Sequence, residues 1–174
     1  MYLDPSYTYF SKFENWGDSQ VLDDCISMMY EYIYQRDLVE PFQVEEMKER
    51  IDGIIPDTGD FSTPLTSFAV DACCAFYDAI DYLSDKDVEK IVNVSVYCRD
   101  TVDMFIQLKD DLNSTDPNLE YKIAFSSFMV YELDRQRKLL KELRKITVMN
   151  DKIIAQLKES VNKKGIVELA LLTI

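Results

Sequence analysis

Sharp reversals of a chain draw on glycine and proline, and this sequence has only four of one and five of the other in 174 residues. Sheet folds need many turns and so many such residues. The scarcity favours a few long helices joined by few loops. Length and make-up agree with a packed core. Apolar residues are 47% and charged residues 29%, which is a globular composition. A chain of this size buries roughly 70% of its unfolded surface, so it needs no metal or disulfide staple.

The periodicity predicts five to six helices. Residues 1–17 are rich in aromatics, including Tyr7, Phe10, Phe13 and Trp16, and read as an ordered lead-in. Asp18 caps a first helix to about Arg36, with Val21, Leu22, Cys25, Met28, Met29, Tyr32 and Ile33 at the i, i+3, i+4 positions of a buried stripe. A second runs from Pro41, suited to a first turn, to Asp52, with Gly53 as its stop. Pro56, Gly59 and Pro64 punctuate a loop. Thr63 and Pro64 then open a third helix to about Leu83. Ser84 with Asp87 resembles a capping box for a fourth, reaching about Asp110, with Val88, Ile91, Val92, Val102, Phe105 and Ile106 facing inward. Pro117 starts a fifth that meets no Gly or Pro before Gly165 and is expected to continue to about Thr147, roughly 45 Å. Asn150 caps a sixth ending near Lys163, before an apolar tail from Ile166 to Ile174. The expected fold is all-α, one domain over residues 1–174, a helical bundle.

Charge is unevenly spread. The net charge is -13, yet residues 1–116 hold 25 acids against 8 bases, while residues 117–174 hold 7 acids against 11 bases. An acidic body with a basic C-terminal third disfavours nucleic acid as a partner, because phosphate repels the body. No apolar run approaches the ~20 residues that span a bilayer. Met1 to Phe10 contains Asp4 and Pro5 and no basic stretch, so no secretory signal is read there and the cytoplasm is the expected compartment.

There is no histidine. This removes Ser-His-Asp and Cys-His catalysis, zinc-protease and His-Asp metal motifs, and the side chain best suited to proton transfer near neutral pH. The four glycines are too scattered for a phosphate-binding loop. Cys25, Cys73, Cys74 and Cys98 lack the spacing of a metal site, since adjacent Cys73 and Cys74 point ~100° apart on a helix. They read as small buried hydrophobes with one half-exposed thiol. No catalytic residue, metal or cofactor is assigned.

Three groups remain. Asp71, Asp78, Asp81 and Asp85 fall within ~80° on the third helix. The plainer reading is a solvated face; the sharper ones are a docking site for basic side chains or a hard-cation site. Arg99 falls among apolar positions of the fourth helix, one turn after Ser95. It must snorkel, find an ion-pair partner, or line an anion pocket together with Ser95. Arg137, Lys138, Lys141, Arg144 and Lys145 share a ~120° arc of the fifth helix, opposite Leu139, Leu140 and Leu143. The sharper reading is a nucleic-acid or acidic-lipid surface; the plainer one is that the arc meets the acidic body within one chain or across a dimer.

Phe13-Glu14-Asn15-Trp16, Ile55-Pro56 followed by Asp60-Phe61, Ala69-Val70-Asp71-Ala72-Cys73 and the closing Gly165-Ile166 resemble a bacterial family known as domain of unknown function 416. The likeness covers roughly residues 13–168. It implies an all-helical bacterial protein with no assigned activity, linked to histidine-kinase signalling by gene neighbourhood. It brings no catalytic residues with it. Two function classes follow from the residues: a non-catalytic interaction module that self-associates or binds a protein partner, and a small-ligand-binding bundle or enzyme with a pocket around Arg99.

Overall fold

The structure is a computed structural model that describes residues 3–35, 38–161 and 167–172. It is all-helical. The described residues form eight α-helices: α1 Leu3–Glu14, α2 Gln20–Tyr34, α3 Pro41–Asp52, α4 Leu65–Asp85, α5 Val88–Lys109, α6 Leu119–Ala124, α7 Ser127–Leu143 and α8 Asp151–Val161. A short 3-10 turn, Leu169–Leu171, follows. Eight therefore replaces the five to six expected, for two physical reasons.

The first is that the aromatic lead-in is itself a helix. Leu3, Tyr7 and Phe10 have no exposed surface. Phe10 meets Trp16 at 6.1 Å and Phe61 at 5.3 Å between ring centroids, both edge-on, the arrangement aromatic quadrupoles favour. The second is that the expected 45 Å helix breaks at Phe125–Ser126. The Ser126 hydroxyl accepts the Phe128 N–H at 3.4 Å and starts α7 afresh, the competition with helix continuation that serine offers. Helix α7 also stops at Leu143 rather than Thr147.

Other boundaries follow local chemistry. Helix α3 spans the expected Pro41–Asp52, and the Gln43 side chain accepts the Glu40 N–H at 2.8 Å. Asn150 caps α8 by accepting the Ile153 N–H at 3.1 Å. Ser84 does not open α5: α4 runs through it to Asp85, Lys86 takes a left-handed conformation (φ 62°), and Asp87 is the cap, accepting the Glu89 N–H at 3.0 Å. The expected helix ends at Arg36 and Lys163, and the Gly165 stop, lie outside the described residues.

Helix α4 is the centre of the packing and lies against α1, α3 and α5. Its Phe68, Ala69, Ala72, Cys73, Phe76 and Ile80 are buried. Val102, Phe105 and Ile106 of α5 join the same core, as do Val167 and Leu169 of the tail. The apolar tail therefore packs at Val167 and Leu169, while Leu171 stays 59% exposed. Several of the described residues that carry the family resemblance are packing and turn positions, while Phe13 is 54% exposed and Gly165-Ile166 lie outside the described residues. Trp16 and Phe61 touch at 5.4 Å, Asn15 turns the chain with φ 52°, and Ala69, Ala72 and Cys73 line the core.

Val88, Ile91 and Val92 do not face inward as their spacing predicts. They are 65%, 42% and 53% exposed. The fully buried positions of α5 begin at Cys98, with Val94 and Tyr97 packed at the edge of the core.

Candidate functional site

Helices α5 and α7 run antiparallel. Phe105 packs edge-on to Phe128 at 5.3 Å, and the Lys109 ammonium sits over the same ring. Ten residues back along α5, the Ser95 carbonyl accepts the Gln136 amide at 3.3 Å. Between these two points the seam is closed. Glu132 lies in it with no exposed surface, held by Nε and Nη2 of Arg135 at 2.7 Å and by Gln136 at 2.8 Å. A carboxylate that gives up water needs such charge-assisted bonds.

Beyond Ser95 and Gln136 the seam opens. On α5, Val88, Ile91 and Val92 lie within about 100° of Ser95 around the helix axis. On α7, Leu140 and Leu143 lie on the same face as Gln136 and the buried Met129. They point along the packing faces of their helices, yet Leu140 is 59% exposed and Leu143 38% exposed. The last turns of α7 and the first turns of α5 each leave an apolar side exposed along the line of this seam, and that line is the candidate cleft. Val148 and Met149, just past α7, are exposed as well.

The two rims of this cleft differ in sign. Arg137, Lys138, Lys141, Arg144 and Lys145 are all exposed; Arg137 and Arg144 fall next to the Leu140 and Leu143 side of α7, and the others lie further round its back. Lys138 pairs with Asp134 at 2.7 Å and Lys145 with Glu142 at 2.6 Å, each within α7 or at its end. Glu89 edges the open part of the α5 wall, and Asp100 lies further along the same flank. Ser95 and Arg99 sit where the seam opens. The Ser95 hydroxyl donates to the Val92 carbonyl at 2.7 Å, and the Arg99 side chain, 52% exposed, pairs with its neighbour Asp100 at 3.4 Å.

The acidic stripe of α4 divides into two environments. Asp81 is bound by Lys48 at 2.8 Å and by Lys90, and Asp85 by Lys90 at 2.6 Å. These lysines hold both carboxyls below their ordinary value. Asp81 in turn raises the Lys48 pKa. Asp71 turns toward α5 and accepts the Thr101 hydroxyl at 3.2 Å. Burial pushes its carboxyl up to about 6. Asp78 Oδ2 is buried without a hydrogen-bond partner among the described residues. Helix α5 packs against both α4 and α7, so these carboxylates and the α7 cations lie on different neighbours of one helix. Lys48, Lys90 and Thr101 carry no signal of these roles in the sequence. The i+5 spacing from Asp85 to Lys90 spans a helix break and so has no helical meaning, and the others come from distant segments.

All four cysteines are free thiols. Cys25, Cys73 and Cys98 are buried, and burial pushes Cys25 up to about 12. Among the described residues, no group of three or more Cys, Asp or Glu side chains is placed to hold a metal ion. No described helix is long and apolar enough to cross a membrane.

The profile of a family described as "Protein of unknown function (DUF416)" matches residues 2–171. A protein of Haemophilus influenzae, described as uncharacterized, is 22% identical over 151 residues, spanning 86% of this chain and 74% of its own length. The crystal structure of a DUF416 family protein from Shewanella baltica shares the fold, with a TM-score of 0.81 at 23% identity, over 91% of this chain and 80% of the other.

Proposed function

The chain belongs to the DUF416 family, a family of unknown function, and we propose that it is a non-catalytic protein-docking module whose docking surface is the open cleft between α5 and α7. One observation carries the reading. Val88, Ile91, Val92, Leu140 and Leu143 lie on the packing faces of two adjacent helices and are left exposed. Soluble surfaces seldom keep such a contiguous apolar patch unless something covers it. Covering it favours association by about 1 kcal/mol or more per side chain. The charged rims add orientation and encounter rate more than affinity.

In this reading residues 1–174 act as one helical domain in the cytoplasm, and the partner is a protein. The signalling setting that the resemblance implies suits a chain that presents a surface and has no histidine for proton transfer. A ligand-binding or enzymatic reading centred on Ser95 and Arg99 has less behind it. Arg99 leans on a neighbouring carboxylate at the surface, and the Ser95 hydroxyl is engaged by its own helix.

The test is retention of partner protein from the native cytoplasm by the wild type and by a Val92→Glu/Leu140→Glu variant with unchanged helix content. A protein held by the wild type and released by the variant supports the cleft as the docking surface. An identical retained set for both sinks it.

A further inference from the structure

The cleft is self-complementary, and we infer that its occupant is the same cleft of a second copy of this chain. This rests on the docking reading above and names the partner.

The pairing within one chain sets the register. Phe105 lies beside Phe128, and Ser95 beside Gln136. Each step toward the start of α5 is thus a step toward the end of α7. Continuing that register places Val92 level with Leu140 and Val88 level with Leu143. The apolar walls therefore occupy the same height along the two helices.

The rims follow from the same register. Around each helix, the flank next to the packing face and away from the core carries the charge. On α5, level with the open cleft, that flank holds Glu89. On α7 it holds Lys141, followed by Arg144 at the C-terminal cap. Arg99, the cation on the α5 wall, sits further down and pairs with Asp100. Seen from outside, the patch is an apolar strip with one acidic edge and one basic edge.

A two-fold axis parallel to the helices lays α5 of one copy over α7 of the other at the same height. Every apolar strip then meets an apolar strip. Glu89 of each copy faces the Lys141 and Arg144 flank of the other. A two-fold axis perpendicular to the helices in the same plane would set α7 on α7, cation on cation. The charge pattern selects the first arrangement. The result is a four-helix contact of the isologous kind that closed dimers use. Like charges on the rejected arrangement supply the discrimination.

The test uses the purified chain and two exposed-rim variants. One makes the α5 edge basic (Glu89→Lys/Asn93→Lys). The other makes the α7 edge acidic (Lys141→Glu/Arg144→Glu/Lys145→Glu). Sedimentation velocity at low micromolar concentration is expected to give the wild type twice the chain mass of 20.3 kDa. Each variant alone sets like charges against each other across both contacts, and its dimer dissociation constant should rise at least tenfold. Mixed in equal amounts, the two variants carry opposite charges at both contacts, and the dimer should return as a heterodimer. Unchanged helical circular dichroism shows that the variants are folded, and the rescue itself excludes misfolding.

A wild type that stays a single chain at every concentration overturns the inference. The docking reading then survives if Val92→Glu/Leu140→Glu still releases a cytoplasmic partner, and falls with it if nothing is released. A dimer that neither rim variant weakens, or that the mixture fails to restore, places self-association elsewhere and likewise overturns the pairing.

Discussion

Glu132 has no exposed surface, and Arg135, one turn along α7, holds both of its oxygens at 2.7 Å. This pair closes the α5–α7 seam just before it opens into the cleft. Removing one member strands the other's charge. Arg135→Met should therefore lower unfolding free energy by about 3 kcal/mol. The Glu132→Gln/Arg135→Met double variant should recover part of that loss, because an amide can still bond Gln136 at far lower desolvation cost. Urea denaturation of the three proteins checks both, and a double variant no more stable than Arg135→Met would contradict the coupling.

Asp71 gives a stability-versus-pH prediction with a definite sign. Burial raises its carboxyl from near 3.8 to about 6. Between those values the folded chain keeps a proton that the unfolded chain has released. Stability therefore falls as pH rises through this window, and the cost is fully present above about pH 6. Allowing for partial exposure, it is about 1–2 kcal/mol. Asp71→Asn should be more stable than wild type at pH 7 and about equal at pH 4. Thermal unfolding at the two values reads the difference, and a variant equally displaced at both would remove the titration argument.

Gly17 joins α1 to α2 with φ 74°, and a Cβ there would collide with the Tyr7 hydroxyl. That hydroxyl cannot easily move, since it donates to the Ile54 carbonyl at 3.0 Å inside the core. Gly17→Ala should cost about 1–3 kcal/mol. Gly53→Ala serves as the contrast. Gly53 has an ordinary φ of -67°, and a Cβ there comes no nearer than 3.5 Å to its neighbours, so the change should be neutral or slightly stabilising. Denaturant midpoints separate the two.

Core and cleft positions should respond differently to truncation. Phe105 is fully buried, and Phe105→Ala should cost about 3–5 kcal/mol. Val92→Ser and Leu140→Ser, at exposed sites, should shift the stability of the single chain by under about 0.5 kcal/mol. Large losses at these two sites, measured at dilutions where the chain is monomeric, would mean that the cleft is closed core.

Features set by neighbours along the chain are legible in the sequence. The Pro41–Asp52 helix, the Asn150 cap and the inward positions Val102, Phe105 and Ile106 depend on backbone geometry within a few residues. The Ser126 cap is not legible in this way, because a Ser-Ser pair inside an apolar, proline-free run carries only a weak stop signal. Helix α1 is legible as an ordered, aromatic segment, but its bounds are not. Leu3, Tyr7 and Phe10 mark it as a helix only once α4 and the Phe61 loop cover them.

Local order along the chain is enough to establish that it is helical and where most of its helices lie. The same letters close histidine chemistry to it and segregate its acids from its bases. Which apolar stripes are covered is a matter of tertiary packing. Val88 and Val102 lie near one another around α5, but only the latter is buried by neighbouring helices. Packing likewise buries Asp71 beside Thr101 while Asp85 pairs with Lys90, two fates for one helical face. The reason is that periodicity fixes where a side chain points around its own axis. Burial and charge pairing depend on how far neighbouring helices run alongside, and that is set by contacts between residues distant in the chain.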